Sequence, residues 1–298
     1  MEKALEGVIH PLTESDIPAA MELKNALGWN QTPKDWARFL RLSPGGCFKA
    51  VRNDELAGTA VAYVFDRTCW IGMVIVGKDH RRRGLGRRLM ERCLEHGERE
   101  CCRRFVLDGT SQGAPLYASL GFREAFAVGT ANGRPRADAR QAPIGPEPAE
   151  TAGLLIRRME ARDLDEVAAI EAGAQGADRR KLFEVLLEQN PGRGFVCADR
   201  HGELEGFVMY RPGHHSTQIG PLVARGLISA TGLLRSAFSD TRGNDVTLTI
   251  PLSNGHTLRL IEEWGLEAEP RLNRMCRGSD PTDAGTDMIY VMSGPEKG

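Results

Sequence analysis

The chain has 298 residues, enough for two ordinary domains, and its 39 Lys and Arg against 40 Asp and Glu give a net charge of -1, which argues against a nucleic-acid partner. No apolar run approaches the length that spans a membrane, and the opening residues MEKALEGVIH lack a signal-peptide core, so no membrane partner is expected. The seven cysteines have no zinc-binding spacing, which predicts a reduced, cytoplasmic chain without a metal site.

The first half begins with a short strand at VIHP and a helix for which Asp16 is the expected N-cap. Residues 48–63, FKAVRNDELAGTAVAY, alternate apolar and polar side chains around a polar tip, which predicts a β-hairpin. The apolar run at 71–76 predicts a buried strand, and the residues after position 84 have the apolar spacing of a helix.

The second half repeats this order. Asp163 follows a strand as Asp16 does, and the hairpin pattern returns at 195–210. The strand IGMVIV is matched by IGPLVA at 219–224, and LYASLGF is matched by LIEEWGL at 260–266. Four matches in one order predict an internal duplication, with each copy an α/β unit that contains a mixed sheet. The Ala-, Gly- and Pro-rich residues 127–153 are predicted to be a linker.

The stretch HRRRGLGRRLM at 80–90 concentrates five arginines around Gly84 and Gly86, between the strand and the helix. Glycines let backbone amides approach a ligand closely, and the start of a helix adds its positive dipole end. This arrangement is typical of a pyrophosphate-binding loop. A solvated basic turn and a nucleic-acid patch are the alternatives, although a nucleic-acid patch requires neither the glycines nor the apolar strand.

Arg81, Gly84 and Gly86 form an R-x-x-G-x-G pattern, which resembles the acetyl-CoA motif of the GNAT acyltransferases. APLYASLGF at 114–122 resembles the second signature of that family. The resemblance covers residues 7–126 and, more weakly, 154–293. It implies an α/β fold of two tandem GNAT-like domains, each a mixed, mostly antiparallel sheet flanked by helices. Residues 1–126 would form the catalytic domain, 127–153 the linker, and 154–298 a degenerate domain that is structural or shapes the substrate site.

The resemblance also implies roles for individual residues. Tyr117 would be the general acid that protonates the departing CoA thiolate. Thr110 stands where many GNAT proteins have Asn and would contact CoA. The strand would bind the pantetheine arm and the loop amides the pyrophosphate. The residues implied in these two contacts are Val74, Ile75, Val76, Arg81, Arg82, Arg83, Gly84, Leu85, Gly86 and Arg87.

The base that removes the proton of the amine is not evident. Some family members have a catalytic carboxylate on the strand before the loop, but CWIGMVIV has none. Asp108 at the end of the next strand is one candidate. Asp178, and His214 or His215, are candidates that would reach across from the second copy, and water is another.

The second copy lacks the residues of both signatures. At matching offsets, Ser229, Gly232 and Leu234 replace the R-x-x-G-x-G residues, and Ile261 replaces Tyr117. We therefore expect one acetyl-CoA site.

The implied function is acetyl transfer from acetyl-CoA to a primary amine of a small polar molecule, by direct attack in a ternary complex. An aminoglycoside, such as a kasugamycin-type antibiotic acetylated on its 2′-amino group, is one predicted acceptor, because the second half has net charge -4. Trp29, Asn30, Trp36 and Asp178 are the predicted acceptor contacts. The alternatives are a metabolite amine or a peptide N-terminus as acceptor, or a non-catalytic acyl-CoA-binding module. A monomer and a homodimer are both compatible with the sequence.

Overall fold

The two halves of the chain repeat one order of helices and strands in the computed structural model, which describes residues 7–136, 153–241, 243–279 and 286–297. The elements of the first half are β1 (Val8–Pro11), α1 (Ile17–Asn25), α2 (Pro33–Leu42), β2 (Cys47–Arg52), β3 (Glu55–Phe65), β4 (Thr68–Val76), α3 (Leu85–Arg99), β5 (Arg104–Gly109), α4 (Ala114–Ser119) and β6 (Arg123–Gly133). Those of the second half are β7 (Leu155–Arg158), α5 (Leu164–Gln175), α6 (Arg180–Gln189), β8 (Gly194–Ala198), β9 (Leu204–Pro212), β10 (Thr217–Ala224), α7 (Leu227–Asp240), β11 (Val246–Pro251), α8 (Gly255–Glu263), β12 (Ala268–Gly278) and β13 (Ile289–Val291).

Local signals in the sequence explain how corresponding elements begin. In the first half, the Thr13 amide donates to the Asp16 carboxylate at 2.8 Å, just before α1. In the second half, the Glu160 amide donates to the Asp163 carboxylate at the same distance, just before α5. Each aspartate lies directly before its helix, as predicted, but its side chain accepts from the residue three positions earlier and makes no cap hydrogen bond to the helix itself.

The strands of the two halves form one continuous sheet, in the order β1-β2-β3-β4-β5-β12-β6-β11-β10-β9-β8-β7, with β13 paired to β10. β12 of the second half lies between β5 and β6, and β6 of the first half pairs with β11. The mixed α/β class is confirmed, but the halves exchange strands. Because β6 extends to Gly133, the predicted linker 127–153 is wrong over its first seven residues. Residues 137–152 lie outside the described residues.

Strand β4 diverges from its neighbour β5 halfway along its length. The parallel pairing runs from Thr68 opposite Arg104 to Ile71 opposite Leu107 and ends there. Met73 has a φ of 52°, and the β3–β4 register shifts by one residue at this point. A bulge of this kind bends its strand. The bulge therefore opens a gap between β4 and the end of β5.

Different hydrophobic cores lie against the two faces of the first-half sheet. On one face, Leu89 and Cys93 of α3 pack with Tyr117 of α4. On the other face, Trp36, Tyr63 and Trp70 belong to a core that also contains α5 and α6 side chains. This second core is shared by the two halves, so the α1–α2 face of β4 is covered by the second half.

All seven cysteines are free thiols. No helix in the described ranges is long and apolar enough to cross a membrane. The same ranges contain no group of three or more His, Cys, Asp or Glu side chains placed to hold a metal ion.

Candidate active site

The arginine- and glycine-rich loop lies at the open end of the β4–β5 gap. Gly84 has a φ of 79°, a left-handed conformation that favours glycine, and α3 begins at the next residue. Within the described part of the chain, none of the amides of residues 82–87 donates to a backbone carbonyl. The loop and the first turn of α3 therefore present free amides and a helix dipole to an anion.

Gly86 lies where the first turn of α3 meets β4 and α4. A Cβ there would lie 3.4 Å from the Leu116 side chain and 3.7 Å from the Val76 side chain. A larger side chain at this position would collide with Val76 at the end of β4 and with Leu116 of α4. Leu85 differs, because its side chain is 2% exposed and packs in the α3 core, which leaves its amide as the group available to a ligand.

The arginine side chains of this loop have mixed roles. Arg81 Nε donates to the Val76 carbonyl at 3.0 Å and holds the loop against the end of β4. Arg87 donates to Ser119 Oγ at 2.7 Å. Arg82 and Arg83 are exposed. The Val76 carbonyl thus accepts one bond from the loop and keeps a second lone pair for the predicted bond to pantetheine. Ile75 is buried in the shared core, whereas Val74 packs on the α3 face.

Tyr117 lies at the end of β5, on the α3 face of the gap. A Cβ on Gly109 would lie 3.0 Å from its ring, and one on Gly113 would lie 2.9 Å from its hydroxyl oxygen. Two glycines thus make room for the phenol. Burial raises the pKa of Tyr117 to about 12, so the phenol stays protonated at neutral pH. Thr110 Oγ1 accepts from the Gly113 amide at 3.2 Å and supports the start of the Tyr117 helix.

Asp108 is the base candidate that lies nearest the gap. Arg274 of β12 donates to its two carboxylate oxygens at 2.5 and 3.2 Å, and the Asp108 side chain is 1% exposed. Both oxygens are therefore engaged by a cation from the second half.

Asp178 lies at the other end of β4, which argues against its predicted roles as base and acceptor contact. Its amide donates to the Asp66 carboxylate at 2.6 Å, in the turn before β4 begins. At the strand rise of ~3.3 Å per residue, that turn is about 13 Å from Gly72, where the gap opens, and about 25 Å from Val76.

His214 and His215 reach across from the second half, as predicted, but they contact the α1–α2 loop. The Asn30 carbonyl accepts from the His214 amide at 2.8 Å, and Asn30 Oδ1 accepts from the His215 amide at 2.9 Å. Asn30 Nδ2 donates to the Ser216 carbonyl at 3.2 Å. Asn30 therefore joins the two halves instead of facing a gap. His214 itself is exposed, and the charge of Lys24 lowers the pKa of its imidazole.

The prediction that Trp36 contacts the acceptor is wrong. Trp36 is 0% exposed on the inner face of α2 and packs edge-on against Phe39, with ring centroids 5.6 Å apart. Trp29 is half-buried against the same core, and its carbonyl accepts from Lys24 Nζ at 2.9 Å.

The second half has no equivalent gap. Its strand β10 diverges from β11 after Ile219, as β4 diverges from β5, but β13 pairs with the diverging residues Leu222 and Val223. The loop between β10 and α7 is shorter than the sequence match to the first half implies, because only residues 225–226 separate these two elements. Ser229, Gly232 and Leu234 therefore lie inside α7 and do not replace loop residues.

A buried ion cluster on the α1–α2 face of β4 was not predicted from the sequence. Its members come from α2, β9 and the residues after β13, and all are less than 6% exposed: Asp35, Arg38, Arg211, Glu296 and Lys297. They are up to 262 positions apart in the sequence, and no local pattern joins them.

Opposite charges within this cluster stabilise one another, and its like charges oppose one another. Although burial opposes ionisation, Arg211 and Arg38 hold the pKa of Asp35 well below its usual range. Burial and the charge of Arg211 lower the pKa of Lys297 to about 7. Burial also raises the pKa of Tyr63, whose hydroxyl faces these groups.

Comparisons with known proteins agree with this geometry. Residues 15–122 match the model of the acetyltransferase (GNAT) family, and residues 167–291 match that of an acetyltransferase (GNAT) domain. The uncharacterized N-acetyltransferase YitH of Bacillus subtilis is 26% identical over 215 residues, 72% of this chain and 71% of that protein. The holothin acyltransferase of a Pseudoalteromonas species is 24% identical over 256 residues, 85% of this chain and 82% of that protein.

A putative acetyltransferase from Pyrococcus horikoshii has the same fold, with a TM-score of 0.80 at 24% identity, covering 100% of this chain and 99% of that one. The fold and the family matches together define an acyltransferase built from two copies of one α/β unit. Both copies belong to the GNAT acetyltransferases, and the chain is a tandem-domain member of that family.

Replacing Gly86 with Leu tests the loop. The added side chain would fill the space beside Leu116 and Val76, and we expect acetyl-CoA affinity to fall at least about tenfold, equivalent to about 1.4 kcal/mol. Calorimetric titration measures this, with circular dichroism to check the fold. Gly255→Leu is the matched control, because a Cβ at that first-turn position of α8 meets open space. Unchanged affinity in a folded Gly86→Leu protein would show that the loop does not hold the cofactor.

We also expect one acetyl-CoA to bind per chain, because β13 takes the place in the second half that a pantetheine arm would need. Isothermal titration calorimetry with CoA gives the stoichiometry. Two equivalent sites would contradict the assignment.

Proposed function

We propose that the chain transfers an acetyl group from acetyl-CoA to a primary amine of a small polar molecule, by direct attack within a ternary complex. The observation that carries this proposal is the juxtaposition of three features at one gap: the diverging end of β4, the free amides of the 82–87 loop, and the buried phenol of Tyr117. A binding module would require the first two features but not a protonated phenol beside the gap.

In the proposed reaction the amine lone pair attacks the thioester carbonyl carbon, and the C–S bond breaks. The sulfur leaves as a thiolate and takes the proton of the Tyr117 hydroxyl, which burial keeps protonated. The amine loses a proton to a base or to water. Asp108 and His214 remain proposals for that base. Asp108 lies closer to the gap but is held by Arg274, whereas His214 is exposed beside the α1–α2 loop.

A relative matched over 85% of this chain is an acyltransferase named for holothin. The aminoglycoside remains a prediction, but three of its four predicted contacts lie elsewhere, since Trp36 is in the core, Asn30 joins the halves and Asp178 lies at the other end of β4.

The function is tested by adding acetyl-CoA and a panel of amines and following thiol release, with mass spectrometry of the products. The panel contains alkylamines, amino acids, an N-terminal peptide, kasugamycin and kanamycin. We expect one added acetyl group on at least one small amine. Binding of acetyl-CoA without thiol release for any amine would favour the non-catalytic acyl-CoA-binding alternative, and acetylation of the peptide alone would favour a peptide N-terminus.

Tyr117→Phe keeps the ring and removes the proton. We expect kcat to fall about 100-fold or more, the usual contribution of a general acid, with the affinity for acetyl-CoA unchanged. Because its pKa is about 12, the wild-type phenol should cause no loss of rate below about pH 11. Tyr290→Phe, a buried tyrosine of the second half, is the matched control and should retain the wild-type rate. A Tyr117→Phe protein with the wild-type kcat would reduce Tyr117 to a packing residue.

A further inference from the structure

Residues 293–297, which follow β13, lie across the face of β4 that is opposite Tyr117. A Cβ on Gly72 would overlap the main chain of Glu296, and Gly72 comes directly after Ile71, the last β4 residue paired with β5. Met292, just before this segment, has its sulfur 3.8 Å from Arg274 Nη2, beside Asp108. The 293–297 segment thus starts near the end of β5 and crosses β4 where the gap opens.

The two faces of this gap are covered by different parts of the chain. The 82–87 loop, α3 and Tyr117 lie on one face, where the proposed acetyl-CoA would lie. We expect the amine to approach from the opposite, α1–α2 face, which the 293–297 segment covers at Gly72.

Side-chain charges, and not strand pairing, hold the segment there. Glu296 accepts from Arg211 Nη2 and from Gln31 Nε2, each at 3.1 Å, and forms an ion pair with Lys297. Arg211 Nη1 also donates to the Ser293 carbonyl at 3.2 Å. The backbone hydrogen bond formed within the segment joins the Lys297 amide to the Gly294 carbonyl, an internal turn.

Several buried polar atoms around the segment lack a hydrogen-bond partner within the described residues. On the groove side, Gln31 Oε1, Tyr63 Oη and Trp70 Nε1 are buried in this way, and so is Ser293 Oγ of the segment itself. Buried polar atoms are usually satisfied, and each one left alone costs free energy. Tyr63 is 1% exposed, and its hydroxyl faces Asp35, Arg38 and Glu296. The groove thus has more hydrogen-bonding capacity than the segment uses, as expected of a site built for another polar ligand.

We propose that the 293–297 segment occupies the acceptor groove as a stand-in for the acceptor, and that the acceptor is a primary amine that also carries a carboxylate, bound by Arg211 and Gln31 in the place of Glu296. This inference rests on the proposed acetyltransferase function and names its substrate class. Amino acids and acidic peptides share this chemistry.

The charge of the groove favours that class over a polycation. When the segment leaves, the acidic Asp35 remains paired with Arg38 and Arg211, while Arg211 Nη2 and Gln31 Nε2 lose the carboxylate that they bind. An incoming carboxylate would restore both bonds, and charge-assisted bonds to a guanidinium are among the strongest that proteins form. A molecule with amines alone would leave Arg211 Nη2 without a carboxylate partner and would add positive charge beside it.

The test compares amines that differ in the carboxylate alone, using the full chain and thiol release from acetyl-CoA. In one arm, each amino acid is paired with the amine that lacks its carboxylate: glycine with methylamine, 4-aminobutanoate with propylamine, and 6-aminohexanoate with pentylamine. A second arm pairs the C-terminally amidated dipeptide Glu-Ala with amidated Gln-Ala, so that only the first carries a carboxylate, and a third uses kanamycin. We expect the carboxylate to raise kcat/KM at least about tenfold in one of the first two arms, and the responding arm identifies free amino acids or peptides as the source.

Variants of Arg211 test whether the preference for a carboxylate arises in the groove. Arg211→Met should abolish the preference, and Arg211→Lys, which keeps the charge, should restore part of it. No preference in any pair, or acetylation of kanamycin alone, would overturn the inference while leaving the acetyltransferase function intact. Absence of thiol release with every amine would instead reject the proposed function.

Glu296→Gln tests whether the 293–297 segment competes with the acceptor for the groove. Removing its charge weakens its hold on Arg211, so we expect KM for the preferred acceptor to fall about tenfold, with the affinity for acetyl-CoA unchanged. Glu188→Gln, which removes a carboxylate paired with Arg41 on the surface, is the matched control and should behave like wild type. An unchanged KM in a folded Glu296→Gln protein contradicts the stand-in role. If that variant does not fold, the paired amines with the wild-type chain decide the question.

Discussion

The divergence of β4 from β5 after Ile71 is the constraint on which the candidate site depends. A sheet whose strands stay paired offers no backbone groups to a ligand between them. The bulge at Met73, with its φ of 52°, separates the two strands. The loop amides, Tyr117 and Gly72 then lie around one opening, although they come from different elements.

The second half shows what the same backbone feature does when its opening is filled. β10 also departs from its parallel neighbour, yet β13 pairs with it at Leu222 and Val223. The loop before α7 is cut to two residues, which leaves no turn of free amides before the helix. The duplicated unit thus has an open gap in one copy, whereas in the other copy a strand fills it.

Features that depend on neighbouring residues could be predicted from the sequence. The helix caps at Asp16 and Asp163 are local, and so is the turn into α3, where Gly84 adopts a left-handed conformation. The place of β12 between β5 and β6 could not be predicted, because it joins strands about 170 residues apart, and the β6 sequence resembles a linker. The Trp36 prediction was wrong for a different reason: with Phe39 it has the apolar spacing of a helix face, a signal that points to the core.

The exchange of strands gives the second half a part in the site even though it lacks an acetyl-CoA loop. Because β12 pairs with β5, Arg274 reaches Asp108 at the end of the gap. Because β9 faces α2, Arg211 reaches Asp35 of the first half. A buried ion pair adds little net stability by itself, since desolvation opposes the attraction between the charges. Strand pairing already holds the two halves together. The buried charges at Arg211 are therefore better explained by recognition of a ligand than by a need to stabilise the contact between the halves. On this proposal, the first copy holds the acetyl donor and the second copy selects the amine that receives the acetyl group.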